Sequence, residues 1–308
     1  MIKIDLITGF LGAGKTTFLK LYVKSLLEQG IKVGIIENDF GAVNVDMMLL
    51  QDLESEHCEI EMINASGDKY CHTRRLKTKL IAMKMRGIER VVIEPSGIYD
   101  TDEFFDLLHE EPLENWYEVG NVFVIVDSLL PQNLSKQSRY LLASQIVNAG
   151  KIILSKVQDA SLQAIKETIC YINDSLQMFH ATRKNDDDFL KISWQELTQD
   201  DMIAIQNSGY HQGKIEKLWF DFQEIFQTVY LMNKSIKKEH IEEIVLKIFD
   251  DQKCGYIYRI KGFVKDQNQW YELNAMKNHI DIKKIAAGQD ILIVIGENLE
   301  KSYIENYF

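Results

Sequence analysis

An α/β fold, a doubly wound and mostly parallel sheet followed by a smaller α+β unit, is predicted by three features of these 308 residues. Segments such as Arg90-Val-Val-Ile-Glu94 and Val122-Phe-Val-Ile-Val126 are continuous apolar runs, the mark of parallel strands buried on both faces. Helical patterns alternate with such runs along the first part of the chain. At the N-terminus an apolar, β-rich run (Ile2, Ile4, Leu6, Ile7) enters a glycine-rich loop, and a helical pattern with Phe18, Leu19, Leu21 and Tyr22 leaves it.

In order, strands are expected near 2–7, 32–37, 90–94, 121–127 and 151–155, with helices near 16–29, 73–86, 102–109, 137–149 and 160–175. The pattern changes after about residue 205. Gln206-Asn-Ser-Gly-Tyr-His-Gln-Gly213 is polar and glycine-containing, as linkers are. A strand (Leu218 to Ile225) and a helix near 237–250 follow, the latter carrying an apolar stripe at Ile241, Ile244, Val245, Ile248 and Phe249. Strands at 255–264, 269–274 and 290–295 and a helical segment from Asn298 complete a unit with a split βαβ, ferredoxin-like layout. The expected organisation is a domain over 1–205, a linker over 206–216 and a second domain over 217–308.

Gly9 to Thr16 form a complete phosphate-binding loop, G-x-x-x-x-G-K-T, in the strand–loop–helix context that the motif requires. Gly9, Gly12 and Gly14 let the backbone curl so that its N–H groups, with those of Ala13 and Thr17, face phosphate oxygens. The helix after the loop adds its positive end. Lys15 is expected on the β- and γ-phosphates and the Thr16 hydroxyl on Mg²⁺, so the chain is expected to bind a nucleoside triphosphate.

Composition narrows the remaining classes. A net charge of −11 argues against nucleic acid as a partner, and no apolar run approaches the length of a membrane span. Four cysteines (58, 71, 170 and 254) lack disulfide-framework spacing, and the first strand begins at once with no cleavable signal before it; both point to the cytoplasm. Oligomeric state stays open, a homo-oligomer included.

Further motifs fall at the carboxyl ends of strands, where open α/β sheets place their sites. Ile36-Glu-Asn-Asp-Phe-Gly41 offers Glu37 and Asp39, with Asp46 beyond, for Mg²⁺, for positioning water or for a second metal; a solvated loop is the bland alternative. In Val92-Ile-Glu-Pro-Ser-Gly97, Glu94 is placed to hold Mg²⁺ through water and Gly97 to present its N–H to the γ-phosphate. Ser155, Lys156 and Gln158 form a loop in which the Lys156 stem covers a base and Gln158 meets its edge.

GFLGAGKTT at 9–17, ENDFG at 37–41, EPSG at 94–97 and the Lys156 loop together resemble the CobW-like family of P-loop GTPases, which act as metallochaperones or metal-insertion factors. Arg259-Ile-Lys-Gly262, Trp270 and Ile291 to Gly296 resemble that family's second domain, so the likeness spans nearly the whole chain. It implies a Mg²⁺-dependent GTP or NTP hydrolase whose carboxylate loops (Glu37, Asp39, Glu94) couple loss of the γ-phosphate to release of cargo or client.

The chain departs from the family pattern twice. The guanine-reading motif Asn-Lys-x-Asp is here Ser155-Lys156-Val157-Gln158, and a Gln amide has one acceptor oxygen where Asp has two. Guanine discrimination is therefore expected to weaken, with the adjacent Asp159 as substitute only if the loop shifts by one residue. Of the family's Cys-x-Cys-Cys only Cys71 survives in Gly67-Asp-Lys-Tyr-Cys-His-Thr-Arg-Arg-Leu76, with Asp68 and Tyr70 in place of the first two cysteines. A mixed set of Asp68, Cys71 and His72 remains for a borderline cargo ion such as Zn²⁺, Co²⁺ or Ni²⁺, with Glu37 or the His57–Cys58 pair as distant candidates; a loop that has lost metal binding is the other reading. Cys170 and Cys254 read as core, and His211 as a linker residue. Arg74, Arg75, Lys77, Lys79, Lys84 and Arg86 make one helix basic, as a solvated face or as a docking surface for an acidic client.

Three functions stay open: metal delivery to a client metalloprotein through the Asp68–His72 loop, nucleotide-driven activation of a metalloenzyme without carried metal, and small-molecule phosphotransfer. The last lacks any acceptor-site signature.

Overall fold

In the computed structural model of the protein, residues 1–39, 50–64, 69–99, 101–183, 188–218, 225–234, 236–277 and 279–308 are described. The chain divides into two units, Met1–Leu218 and Trp219–Phe308.

The first unit is built on strands β1 (Ile2–Thr8), β2 (Val33–Asp39), β3 (Cys58–Asn64), β4 (Arg90–Glu94), β5 (Tyr117–Asp127), β6 (Lys151–Ser155) and β7 (Phe189–Leu190). Their order across the sheet is β3-β2-β4-β1-β5-β6-β7, and every pairing is parallel. Helices α1 (Lys15–Glu28), α2 (Lys69–Met85), α3 (Thr101–Leu108), α4 (Lys136–Val147), α5 (Leu162–Met178) and α6 (Gln199–Gln206) supply the crossovers and cover the faces. The apolar runs read as doubly buried strands are so: Val91 and Val92 of β4 and Val122 to Ile125 of β5 are fully buried. On α1, Phe18, Leu19, Tyr22, Val23 and Leu26 form one stripe against the sheet with no exposed surface. Burying a side chain the size of Phe18 stabilises by about 1.5–3 kcal/mol.

Two strands escape the sequence pattern. In β3, Cys58-Glu-Ile-Glu-Met-Ile-Asn64 alternates charged and apolar residues because it is an edge strand. Two-residue β7 is too short to carry a period.

Asp5 is buried in the middle of β1, and its neighbours supply what a buried carboxylate needs. Arg90 donates to it through Nε at 2.5 Å and Nη2 at 3.1 Å, Tyr22 through its hydroxyl at 2.8 Å, and Asn121 through its backbone N–H at 2.8 Å and its amide at 3.0 Å. The same Asn121 side chain reaches the Gln206 carbonyl and accepts from the Gly209 N–H.

That last contact bears on the stretch 206–216, which reads as a linker. Gly209 also accepts from the Val122 N–H, and the His211 N–H donates to the Asn148 carbonyl. The His211 ring lies 3.1 Å from Asp188, which also pairs with Arg183. Polar composition here reflects hydrogen bonding to the first unit, whose end is Leu218.

The second unit is an antiparallel sheet of β8 (Phe226–Met232), β9 (Tyr256–Asp266), β10 (Gln269–Met276), β11 (His279–Ile285) and β12 (Ile291–Glu297), in the order β11-β10-β9-β12-β8. Strand β8, helix α7 (Lys238–Asp250) and β9 form the expected split βαβ, because β12 inserts between the two strands. The strand expected at 218–225 instead begins at Phe226, and residues 219–224 lie outside the described residues. β11 stands where a ferredoxin-like layout carries its second helix; a short helix α8 (Lys301–Glu305) comes after β12. Ile241, Val245 and Ile248 of α7 pack into a core with Ile260, Leu273 and Val294.

Candidate functional site

The phosphate-binding loop leaves β1 at Thr8 and enters α1 at Lys15. Gly9 has φ +143°, and a Cβ there would lie 2.2 Å from the Ile125 carbonyl oxygen of β5, so no other residue fits. Gly14 caps α1 in the left-handed region (φ +94°), and the edge of the Trp194 ring would sit 2.7 Å from its Cβ. Trp194 packs at 6.4 Å against Phe18, and its indole N–H is buried with no partner among the described residues. It closes the wall beside the loop. No motif points to it.

Lys15 is buried at the start of α1, and Thr17 is exposed. The Thr16 hydroxyl donates to Glu94 Oε1 at 2.9 Å, joining the loop to the end of β4. Glu94 pairs in register with Glu37 of β2, and the two residues are 5% and 2% exposed. Partners in register on adjacent strands lie on the same face of a sheet. One hydroxyl and two carboxylates make a hard oxygen set of the kind Mg²⁺ takes. Asp39 ends β2, its side chain outside the described residues, as is Asp46 entirely.

Gly97 lies against the phosphate loop. A Cβ on it would be 2.9 Å from the Leu11 backbone nitrogen. Gln145 of α4, fully buried, donates its amide to the carbonyls of Gly97 (3.2 Å) and Tyr99 (3.3 Å), which pins the segment after Glu94. A polar residue inside the apolar run Leu141-Leu-Ala-Ser-Gln-Ile146 is the sign of this role.

At the end of β6, Ser155 is buried, and its carbonyl accepts from the Ser128 hydroxyl at 2.6 Å. Lys156 takes a left-handed conformation (φ 55°), and its ammonium meets Asp127 at 2.5 Å. Asp127 also accepts the Leu129 N–H at 2.9 Å, so a carboxylate from β5 holds the lysine stem in place. Gln158 donates its amide to Asp159 Oδ2 at 3.0 Å, and both side chains are exposed.

Of the residues expected to hold cargo, Cys71 and His72 are described. Asp68 lies outside the described residues. Cys71 is exposed, whereas His72 turns inward and packs its ring edge-on to Tyr99 at 6.2 Å. Consecutive helical positions point about 100° apart, which separates these two side chains. Burial pushes the His72 pKa down, opposed by Glu103 and assisted by Arg75. Cys58 belongs to the core, its thiol pushed up to about 11 by burial and by Glu54 and Glu59, while His57 is exposed. Among the described residues no group of three or more His, Cys, Asp or Glu side chains is placed to hold a metal. Cys254 is core as expected, but Cys170 is exposed on α5.

The basic helix, α2, is partly neutralised from within. Lys77 meets Glu110 at 2.6 Å, Lys79 meets Glu61 at 2.5 Å, and Arg86 meets Glu59 and Glu61 at 3.1 and 2.8 Å. This favours the solvated face over a basic docking surface. No helix among the described residues is long and apolar enough to cross a membrane.

The family described as CobW/HypB/UreG, nucleotide-binding domain, matches residues 3–180, more than half of the chain. The zinc-regulated GTPase metalloprotein activator 1 of Schizosaccharomyces pombe is 24% identical over 97% of this chain and 83% of its own length. The zinc chaperone YjiA of Escherichia coli is 28% identical over 59% of this chain and 58% of its own. A crystal structure of Zn(II)-bound YjiA GTPase from E. coli superposes with a TM-score of 0.40 at 18% identity, covering 100% of this chain and 98% of that one. The phosphate-loop motif joined to β4 through Thr16 and Glu94, together with the matched span, leads to one conclusion: the chain belongs to the CobW/HypB/UreG family and is a P-loop nucleoside triphosphatase.

Proposed function

We propose that the protein is a Mg²⁺-dependent GTP hydrolase that couples its nucleotide state to metal delivery or insertion into a client metalloprotein. The observation that carries this reading is the join between Thr16 and Glu94 beside Glu37, which links the phosphate loop to two strand-end carboxylates. The relatives named as zinc chaperones and metalloprotein activators support the second half.

In this reading the backbone N–H groups of residues 9–17 bind the phosphates and Lys15 neutralises the β- and γ-oxygens. The Thr16 hydroxyl and Glu94 would hold Mg²⁺, with Glu37 and Asp39 as the further carboxylates of this reading. Mg²⁺, when bound, supplies the charge that stabilises the transferred phosphoryl group. Gly97 offers its N–H to the γ-phosphate, and its place is set by Leu11 and Gln145. Lys156, oriented by Asp127, covers the base plane beside Ser155 and Gln158.

Lys15→Ala tests the nucleotide half. Loss of a charge-assisted partner costs roughly 1.5–3 kcal/mol. Unchanged GTP affinity and turnover in this variant would sink the assignment.

A second reading, in which the protein activates a metalloenzyme and carries no metal, is favoured by the separation of Cys71 from His72. Calorimetry with Zn²⁺, Co²⁺ and Ni²⁺, with and without a GTP analogue, decides between them. Binding lost in a Cys71→Ala/His72→Ala double variant supports delivery; identical binding in wild type and variant supports activation.

A further inference from the structure

We infer that Gln158 and Asp159 act as one unit that reads guanine, Asp159 fixing the Gln158 amide so that two acceptor oxygens face the base. The inference rests on the guanine-nucleotide reading above. A glutamine alone is ambiguous at such an edge, because its amide presents either an oxygen or an NH₂ group. Here the ambiguity is removed. Gln158 Nε2 donates to Asp159 Oδ2 at 3.0 Å. The flipped amide would set Gln158 Oε1 against the Asp159 carboxylate, acceptor against acceptor.

With the amide so fixed, Gln158 Oε1 and the second Asp159 oxygen remain as acceptors, one carrying the carboxylate charge. Guanine presents two neighbouring donors, N1–H and the 2-amino group, whereas adenine presents an acceptor at N1 beside its amino donor. No register shift is needed to bring Asp159 into play. The turn Val157–Asp159 is closed by the Asp159 N–H on the Lys156 carbonyl at 3.0 Å, and Lys156 is anchored in turn by Asp127. Both reading side chains are exposed at the end of β6, open to a base lying along the Lys156 stem.

The test is competition of GTP, ITP and ATP against a fluorescent guanine nucleotide, on the full chain with Mg²⁺. Wild type should bind GTP at least about tenfold more tightly than ATP, and more tightly than ITP, which lacks the 2-amino group. Asp159→Ala should lose at least about fivefold in GTP affinity while ATP affinity is unchanged, and should erase the GTP-over-ITP preference. A GTP-to-ATP ratio equal in wild type and Asp159→Ala would overturn the inference. So would a parallel fall in GTP and ATP binding, which marks a loop disrupted as a whole. The wild-type comparison of GTP with ITP needs no variant, and equal affinities there also overturn it. Tight binding of all three nucleotides without preference refutes this inference alone; no binding of any refutes the phosphate-loop assignment with it.

Discussion

Thr16 and Glu94, 78 residues apart, meet at 2.9 Å, so the hydroxyl that begins α1 is held by the carboxylate that ends β4. Each fixes the orientation of the other. Glu94→Gln should therefore keep the fold but weaken Mg²⁺ binding in the nucleotide complex, roughly 10–100-fold, as losses around a metal typically do. A Mg²⁺ titration of GTP turnover checks this; an unchanged midpoint would remove Glu94 from the metal's surroundings.

Gly9 and Gly30 make a matched pair. Both have positive φ, +143° and +79°, but their surroundings differ. A methyl added at Gly9 would meet a backbone oxygen at 2.2 Å, whereas nothing lies within 4 Å of the same position at Gly30. Gly9→Ala should lower the melting temperature and abolish nucleotide binding. Gly30→Ala should cost about 1 kcal/mol from backbone strain and leave binding intact. Equal nucleotide affinity in the two variants would show that the loop tolerates a shift at β5.

The Asp5 network predicts a hierarchy of stability losses. Asp5→Ala leaves the Arg90 charge buried without its carboxylate and should cost about 3–5 kcal/mol. Tyr22→Phe removes one donor from a carboxylate that keeps others, and should cost about 0.5–1.5 kcal/mol. Urea unfolding of the two variants measures both, and the reverse order would refute the network's role.

Alkaline pH should unfold the protein. Burial raises the Cys58 thiol from its ordinary 9.0 to about 11, with Glu54 and Glu59 adding to it. Burial, assisted by Asp5, likewise raises the Tyr22 hydroxyl well above 10.0, and burial raises Tyr117. Groups with raised folded-state pKa values favour the native state fully below their ordinary values, and that contribution is lost as pH climbs past them. Stability should thus be level in this respect below pH 9 and fall as pH rises toward 11. Cys58→Ala should flatten the first part of the fall; a slope identical to wild type would show that the thiol does not contribute.

Much of the first unit was legible because it is written locally. The phosphate loop needs glycines at fixed spacing between a strand and a helix, and residues 9–17 show them in one short string. Doubly buried strands such as β4 and β5 must be apolar throughout, so their runs announced both the sheet and the ends where Glu94 and Ser155 sit.

The strand β3 was hidden by its place at an edge, since Glu59 and Glu61 face the cations of Lys79 and Arg86 rather than the core. The stretch 206–216 looked like a linker because its polar groups bond to Asn121, Val122 and Asn148, partners far away in sequence. By itself, then, the sequence determined the family, the phosphate loop and the strand ends on which the site is built. Tertiary structure alone decided that Glu37 and Glu94 share a register, that Gln145 pins Gly97, that Trp194 closes against Gly14, and that Cys71 and His72 part company. The physical reason is that period and motif record which way a residue faces within its own element. What it meets there depends on the crossovers, and those bring together groups whose separation in sequence carries no pattern.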